Sequence, residues 1–278
     1  MKPRIAFLLP HYSHRSTSLT PGVLRDLADL GATVDVITPL DGPIDLTDVR
    51  VEHDLYVLRH SSRVALSLAG ALHALGATIV NPYPVSLALR DKIVATRMLQ
   101  AAGVPTPATY VAPAPEDLRS LLDQGPLVVK PYQGSGGLDV SVVRTLADLV
   151  EVETGRDPVF AQRFLPPDGR DLKVYVIGGE AFGVAKVFPR RTPAEKAGEP
   201  FVLSPLLRDI TARCGRAFGI DLYGVDFIES GGRSYVVDMC SIPGFRGVPD
   251  ASRRLARYFY RTGERAARGV AEVQEAAS

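Results

Sequence analysis

Five apolar residues in a row, Ile5 to Leu9, follow a charged start and end at Pro10. A run that short, bounded by a proline, predicts a buried strand. From Thr20 to Leu30 the apolar positions recur at helical spacing until Gly31 stops them. Ala32 to Ile37 and Asp54 to Leu58 read as strands. Val64 to Leu75 reads as a helix ending at Gly76, and Ala77 to Val80 as a short fourth strand. Strands alternating with helices predict a parallel α/β layer over residues 1–85.

The pattern then changes. A turn at Asn81–Pro84 precedes one helix from Ser86 to Ala102, an extended stretch from Val104 to Val111, and a helix from Glu116 to Leu122. Val128-Val129 and Val140–Val143 flank a glycine loop and predict an antiparallel hairpin. Pro158 to Leu165 holds a short strand. Asp171–Ile177 and Glu180–Phe188 turn about Gly178-Gly179, and Leu222–Ile228 and Ser234–Asp238 turn about Gly231-Gly232. Leu206–Phe218 is predicted as a helix, and Ala251–Val270 as an amphipathic one. The fold class is an α/β N-terminal part followed by an α+β part dominated by hairpins.

Composition narrows the function classes. The chain has 278 residues, 46% hydrophobic and 23% charged, with a net charge of +1. No global field draws it to nucleic acid or membrane. There is no apolar run of about 18 residues that would suggest a membrane helix. Two cysteines, Cys214 and Cys240, make neither a disulfide framework nor a zinc spacing, so a cytoplasmic location is expected. All five histidines lie between His11 and His73. A histidine base is therefore excluded from the later part. His11 and His14 follow the first strand, where α/β folds bind ligands. They are candidates for a second substrate, or simply loop residues.

The richest segment is Val128–Gly137, VVKPYQGSGG. Lys130 sets a charge at a strand end, and Gly134, Ser135, Gly136 and Gly137 let backbone N–H groups approach an anion. A nucleotide phosphate suits this loop. Asp226 and Asp238 each interrupt an apolar strand, where aspartate is disfavoured and costly to bury. Joined by a tight turn, the two strands are neighbours. Their carboxylates are expected to hold Mg2+, which neutralises ATP phosphate charge. Lys173, Lys186, Arg190 and Arg246 are the candidate catalytic cations, with Arg191 beside them. Cys240 lacks an activating neighbour and reads as a buried thiol.

These residues resemble the ATP-grasp superfamily over roughly 85–250. The resemblance implies an N-terminal domain of 1–85 and an ATP-grasp domain of 86–278. The latter would contain a lid subdomain of about 105–165 and a C-terminal subdomain of about 166–278, their antiparallel sheets clamping ATP. Lys92, in RDKIVATRML, is similar to the family's first nucleotide lysine, and Lys130 to its second. Gln162, Arg163, Phe164 and Leu165 stand at the adenine hinge, Asp171 at the ribose acid, and Asp226 and Asp238 at the magnesium ligands. Where the family usually has asparagine two residues after the second acid, this chain has Cys240.

NPYPVSLALRDK looks like the glutathione-synthetase and ribosomal-protein-modifying ligases, whereas DLKVYVIGG and VVDMCSIPGFRGV look like inositol tetrakisphosphate kinases. Three functions follow from the resemblance. One is an ATP- and Mg2+-dependent carboxylate–amine ligase working through an acyl phosphate on a small molecule or peptide. The others are a small-molecule kinase and a silent ATP-binding module. The oligomeric state stays open, a homo-oligomer included.

Overall fold

In a computed structural model, residues 2–276 are described, apart from 11, 14, 15, 17, 60, 61, 135–138, 153, 154, 156, 188–191, 193, 194 and 196. The first apolar runs form strands β1 (Arg4–Leu8), β2 (Thr33–Ile37), β3 (Leu55–Leu58) and β4 (Ile79–Val80). They lie parallel in the order β2-β1-β3-β4. Helices α1 (Thr20–Asp29) and α2 (Arg63–Ala74) make the crossovers, and Ser62 caps α2 by accepting from the Ala65 amide.

The predicted helix over Ser86–Ala102 is two helices, α3 (Tyr83–Arg90) and α4 (Lys92–Ala101). Asp91 breaks it. With extended backbone, its carboxylate accepts from the Ile93 and Val94 amides at 2.9 and 3.1 Å. Local capping here overrides an apolar pattern that continues across the break.

A second sheet follows, built from β5 (Thr109–Ala112), β6 (Leu127–Pro131), β7 (Ser141–Val143) and β8 (Val159–Arg163), in the order β5-β8-β6-β7 and antiparallel throughout. The expected helix over Glu116–Leu122 is a 3-10 turn (Pro115–Leu118) running into one α-turn, α5 (Arg119–Leu122). Helix α6 (Leu146–Val150) has no counterpart in the sequence reading. Ala112, Leu118, Leu127, Val129, Val143, Leu149, Val159 and Ala161 give this sheet its own small core.

The third sheet comprises β9 (Asp171–Ile177), β10 (Glu180–Lys186), β11 (Glu199–Phe201), β12 (Leu222–Ser230) and β13 (Arg233–Cys240). Its order is β11-β10-β9-β12-β13. The edge strand β11 was not foreseen. Helix α7 (Pro205–Phe218) is bounded as its sequence dictates, with Ser204 as N-cap, Pro205 in the first turn and Gly219 left-handed at φ 64°. Helix α8 (Ala251–Ala276) closes the chain.

Strand alternation sorts the third sheet into two faces. Val174, Val176, Tyr223, Val225, Phe227, Val236 and Met239 pack beneath α7 and α4. Tyr175, Ile177, Val184 and Leu222 turn the other way and share a core with Ile5, Phe7, Leu55 and Val57 of the first sheet, and with Leu255 and Phe259 of α8. Asn81, almost fully buried, locks the two sheets by donating to Leu222 O at 2.6 Å and Ser241 O at 2.9 Å. The first and third sheets are thus packed as one unit.

Candidate functional site

The apolar join with the first sheet covers only one end of that inner face. Further along, Lys173, Asp226 and Asp238 lie side by side on β9, β12 and β13, each in register with the next. Lys173 Nζ meets Asp226 Oδ1 at 2.7 Å and Oδ2 at 2.8 Å. Burial opposes the Lys173 charge, but Asp226, Cys240 and Tyr175 together outweigh it and hold the ammonium above its usual pKa. Burial pushes the Asp238 carboxyl up, against the pull of Lys92, while Asp226 adds to the rise.

The pairing of Asp226 with Asp238 depends on a bulge. From Ser230↔Arg233 to Phe227↔Val236 the hairpin is regular. The register then shifts, and Asp226 faces Asp238. Val237 is the extra residue. Unshifted pairing would place Val237 opposite Asp226 and turn Asp238 towards α7. The displaced Val237 carbonyl accepts from Lys130 Nζ at 3.0 Å, so the same irregularity ties the second sheet to the third.

Lys130 lies over the Phe160 ring, and burial pushes its pKa down to about 8, with Asp238 acting against the fall. Lys92, at the start of α4, is 8% exposed and donates to Gly134 O at 2.7 Å, while its backbone amide donates to Tyr132 O. Lys92 thus holds the entrance to the glycine loop, while Lys130 reaches the third sheet. Ser135, Gly136, Gly137 and Arg190 fall outside the described residues, as do Arg191, His11 and His14.

Other expected residues stand apart from this cluster or are already engaged. Lys186 is 5% exposed and donates to the Tyr175 hydroxyl at 3.0 Å; Asp171 is its partner in register on β9. Arg246 is exposed, next to buried Phe245. At the expected adenine hinge, Gln162 Nε2 donates to Thr109 Oγ1, and the Arg163 and Phe164 amides donate to Ala108 O and Pro126 O. The Arg163 guanidinium donates to Leu121 O and Gly125 O, so it secures the turn before β6. Leu165 lies just beyond β8.

Sequence reading missed Tyr175 and Arg59. Tyr175 lies between two cations, with Lys173 and Lys186 Nζ 5.7 and 5.4 Å from its ring centroid. Arg59 follows β3 and reaches Pro243 O at 3.1 Å. A cation directly after an apolar strand, the signal that singled out Lys130, was present in DLYVLR as well.

Among the described residues no three His, Cys, Asp or Glu side chains gather as a metal cluster. Two in-register carboxylates do fit magnesium, which takes one or two protein carboxylates and completes its shell with phosphates and water. Lys173 on Asp226 shows that these oxygens attract positive charge. Cys240 adds no hard ligand, because burial raises its thiol pKa to about 11. No helix among the described residues is long and apolar enough to cross a membrane.

A lid-like antiparallel sheet, a second antiparallel sheet bearing paired acids, and lysines from both define an ATP-grasp fold. Residues 89–256 match the RimK-like ATP-grasp domain, and the chain belongs to that family. A probable alpha-L-glutamate ligase of Thioalkalivibrio sulfidiphilus is 30% identical over 177 residues, 59% of each chain. The chain thus spans about three fifths of that relative. The ribosomal protein bS6--L-glutamate ligase of Salmonella paratyphi B is 24% identical over 84% of each chain. In fold, the chain is similar to a RimK domain ATP-grasp protein of Sphaerobacter thermophilus, with a TM-score of 0.73 and 20% identity over 92% of this chain and 99% of that one.

Proposed function

We propose that this protein is an ATP- and Mg2+-dependent carboxylate–amine ligase acting through an acyl phosphate on a small molecule or peptide. The observation that carries this reading is the row Lys173–Asp226–Asp238, which faces Lys130 across the two antiparallel sheets. Lys92 and Lys130 bind the triphosphate at the mouth of the glycine loop. Asp226 and Asp238 hold magnesium, which supplies charge neutralisation to the phosphates. Lys173 then turns from its carboxylate to the transferring phosphoryl oxygens.

A substrate carboxylate oxygen attacks the γ-phosphorus, and the bond to the ADP oxygen breaks. An amine attacks the resulting acyl carbon, phosphate leaves with its electron pair, and the amine proton passes to phosphate or solvent. The chain need only position charges, so the absence of histidine beyond His73 is no obstacle. The names of the curated relatives favour ligation over phosphorylation of a hydroxyl.

The test is incubation with ATP, magnesium and a panel of acids, amines and polyols. ADP, free phosphate and a condensed product in equal amounts are expected. ADP with a phosphorylated product and no free phosphate would establish the kinase instead. No ADP with any combination would leave a nucleotide-binding module.

A further inference from the structure

Arg59 is a cation that phosphate and metal binding do not use. It follows the carboxyl end of β3, beside the end of β1, and its amide donates to Leu8 O. Ligands of open parallel sheets bind beyond such strand ends. The side chain crosses to the segment that follows β13, donates to Pro243 O at 3.1 Å and lies 6.0 Å from the Phe245 ring centroid. Among the described residues no carboxylate pairs with it. A guanidinium has five N–H donors in a fixed fork, and among the described residues Arg59 spends one, on Pro243 O. It is half-buried, and burial pushes its pKa down to about 10. A positive charge is therefore held partly buried, with no anion paired to it among the described residues.

The Phe245 ring beside it lies 5.5 Å from the Tyr175 ring, whose centroid is 5.7 Å from Lys173 Nζ. Arg59 therefore borders the same cleft as the paired acids, entering from the first sheet. We propose that Arg59 binds the non-reacting carboxylate of an amino-acid-like substrate whose reacting group faces the Lys173–Asp226–Asp238 row. This rests on the ligase reading. A guanidinium fork matches a carboxylate with two parallel hydrogen bonds. Among the described residues its recorded contacts are the Phe245 ring and the Pro243 carbonyl, with none of the additional cations that a phosphorylated substrate would require.

The experiment compares wild type, Arg59→Met and Arg59→Lys, each loaded with magnesium and a non-hydrolysable ATP analogue. The probes are L-glutamate, L-alanine, the α-carboxamide of each, and inorganic phosphate; ADP release with ATP is followed in parallel. Wild type is expected to bind at least one free acid about 10- to 100-fold more tightly than its amide, the range of a charge-assisted hydrogen-bond pair. Arg59→Met should abolish that preference with nucleotide affinity unchanged, and Arg59→Lys should keep part of it. If Arg59→Met does not fold, Arg59→Lys carries the test.

A preference that survives in the variants, or none in wild type, overturns the proposal. Inorganic phosphate binding more tightly than either acid also overturns it. An Arg59-dependent preference without ADP release from any probe would sink the ligase reading and leave the anion site standing. ADP release without such a preference would do the reverse.

Discussion

Lys173 and Asp226 offer the most direct probe of how this site balances its charges. Their side chains are 17% and 34% exposed and meet at 2.7 Å. Breaking a fully buried pair by removing one partner costs about 3–5 kcal/mol, while an exposed pair contributes about 0–1 kcal/mol. Partial exposure puts Lys173→Met or Asp226→Asn at about 1–3 kcal/mol, or about 3–10 °C in Tm. The double variant removes both charges and leaves neither orphaned, so it should recover to within about 1 kcal/mol of wild type. Urea denaturation of the four proteins at pH 7 measures this cycle. Turnover should fall about 100- to 1000-fold in each variant, since charge stabilisation at a transferring group has that size. Strictly additive losses in the double variant would refute the charge-pair reasoning. Wild-type turnover in Asp226→Asn would refute the metal assignment.

Further expectations concern residues around this pair. Lys130, with a free-state pKa near 8, binds phosphate as the ammonium. ATP affinity should be flat below about pH 8 and fall as pH rises above it, and Lys130→Arg should remove that fall; an identical profile in the variant would exclude Lys130 from the phosphate site. The sign for stability is opposite. The folded pKa lies below the unfolded value, so Lys130 destabilises while charged, and this penalty is relieved between about pH 8 and 10.5. Asn81→Ala leaves the Leu222 and Ser241 carbonyls without their donor and should cost about 2–3 kcal/mol in urea denaturation; a change below about 0.5 kcal/mol would mean that the join does not depend on it. Cys240→Asn supplies a hard oxygen in place of a neutral thiol and should keep or raise magnesium affinity by calorimetry; a large loss would give the thiol a role of its own.

Much of this was readable from the chain. Apolar runs bounded by Gly and Pro marked most of the strands, because burial and turn chemistry act locally. The glycine pairs at 178–179 and 231–232 set the two hairpins for the same reason. Asp226 and Asp238 were conspicuous as charges interrupting apolar strands and Lys130 as a charge at a strand end before glycines, whereas Lys92 was reached through the family resemblance. The break at Asp91 and the edge strand β11 were hidden, since one depends on a side-chain cap and the other on a neighbour distant in sequence.

The sequence by itself determined which charges the strands must carry and that the two acids occupy adjacent strands. It did not determine that they face each other. Counting outward from Gly231-Gly232 puts Val237, not Asp238, opposite Asp226. Only the bulge at Val237 brings Asp238 to the site face, and it forms where Lys130 from another sheet takes the displaced carbonyl. Arg59 became visible as a site residue in the same way, when the first sheet packed onto the third. Side-chain type is a property of the chain, whereas the face a side chain presents is settled by register and by contacts between sheets far apart in sequence.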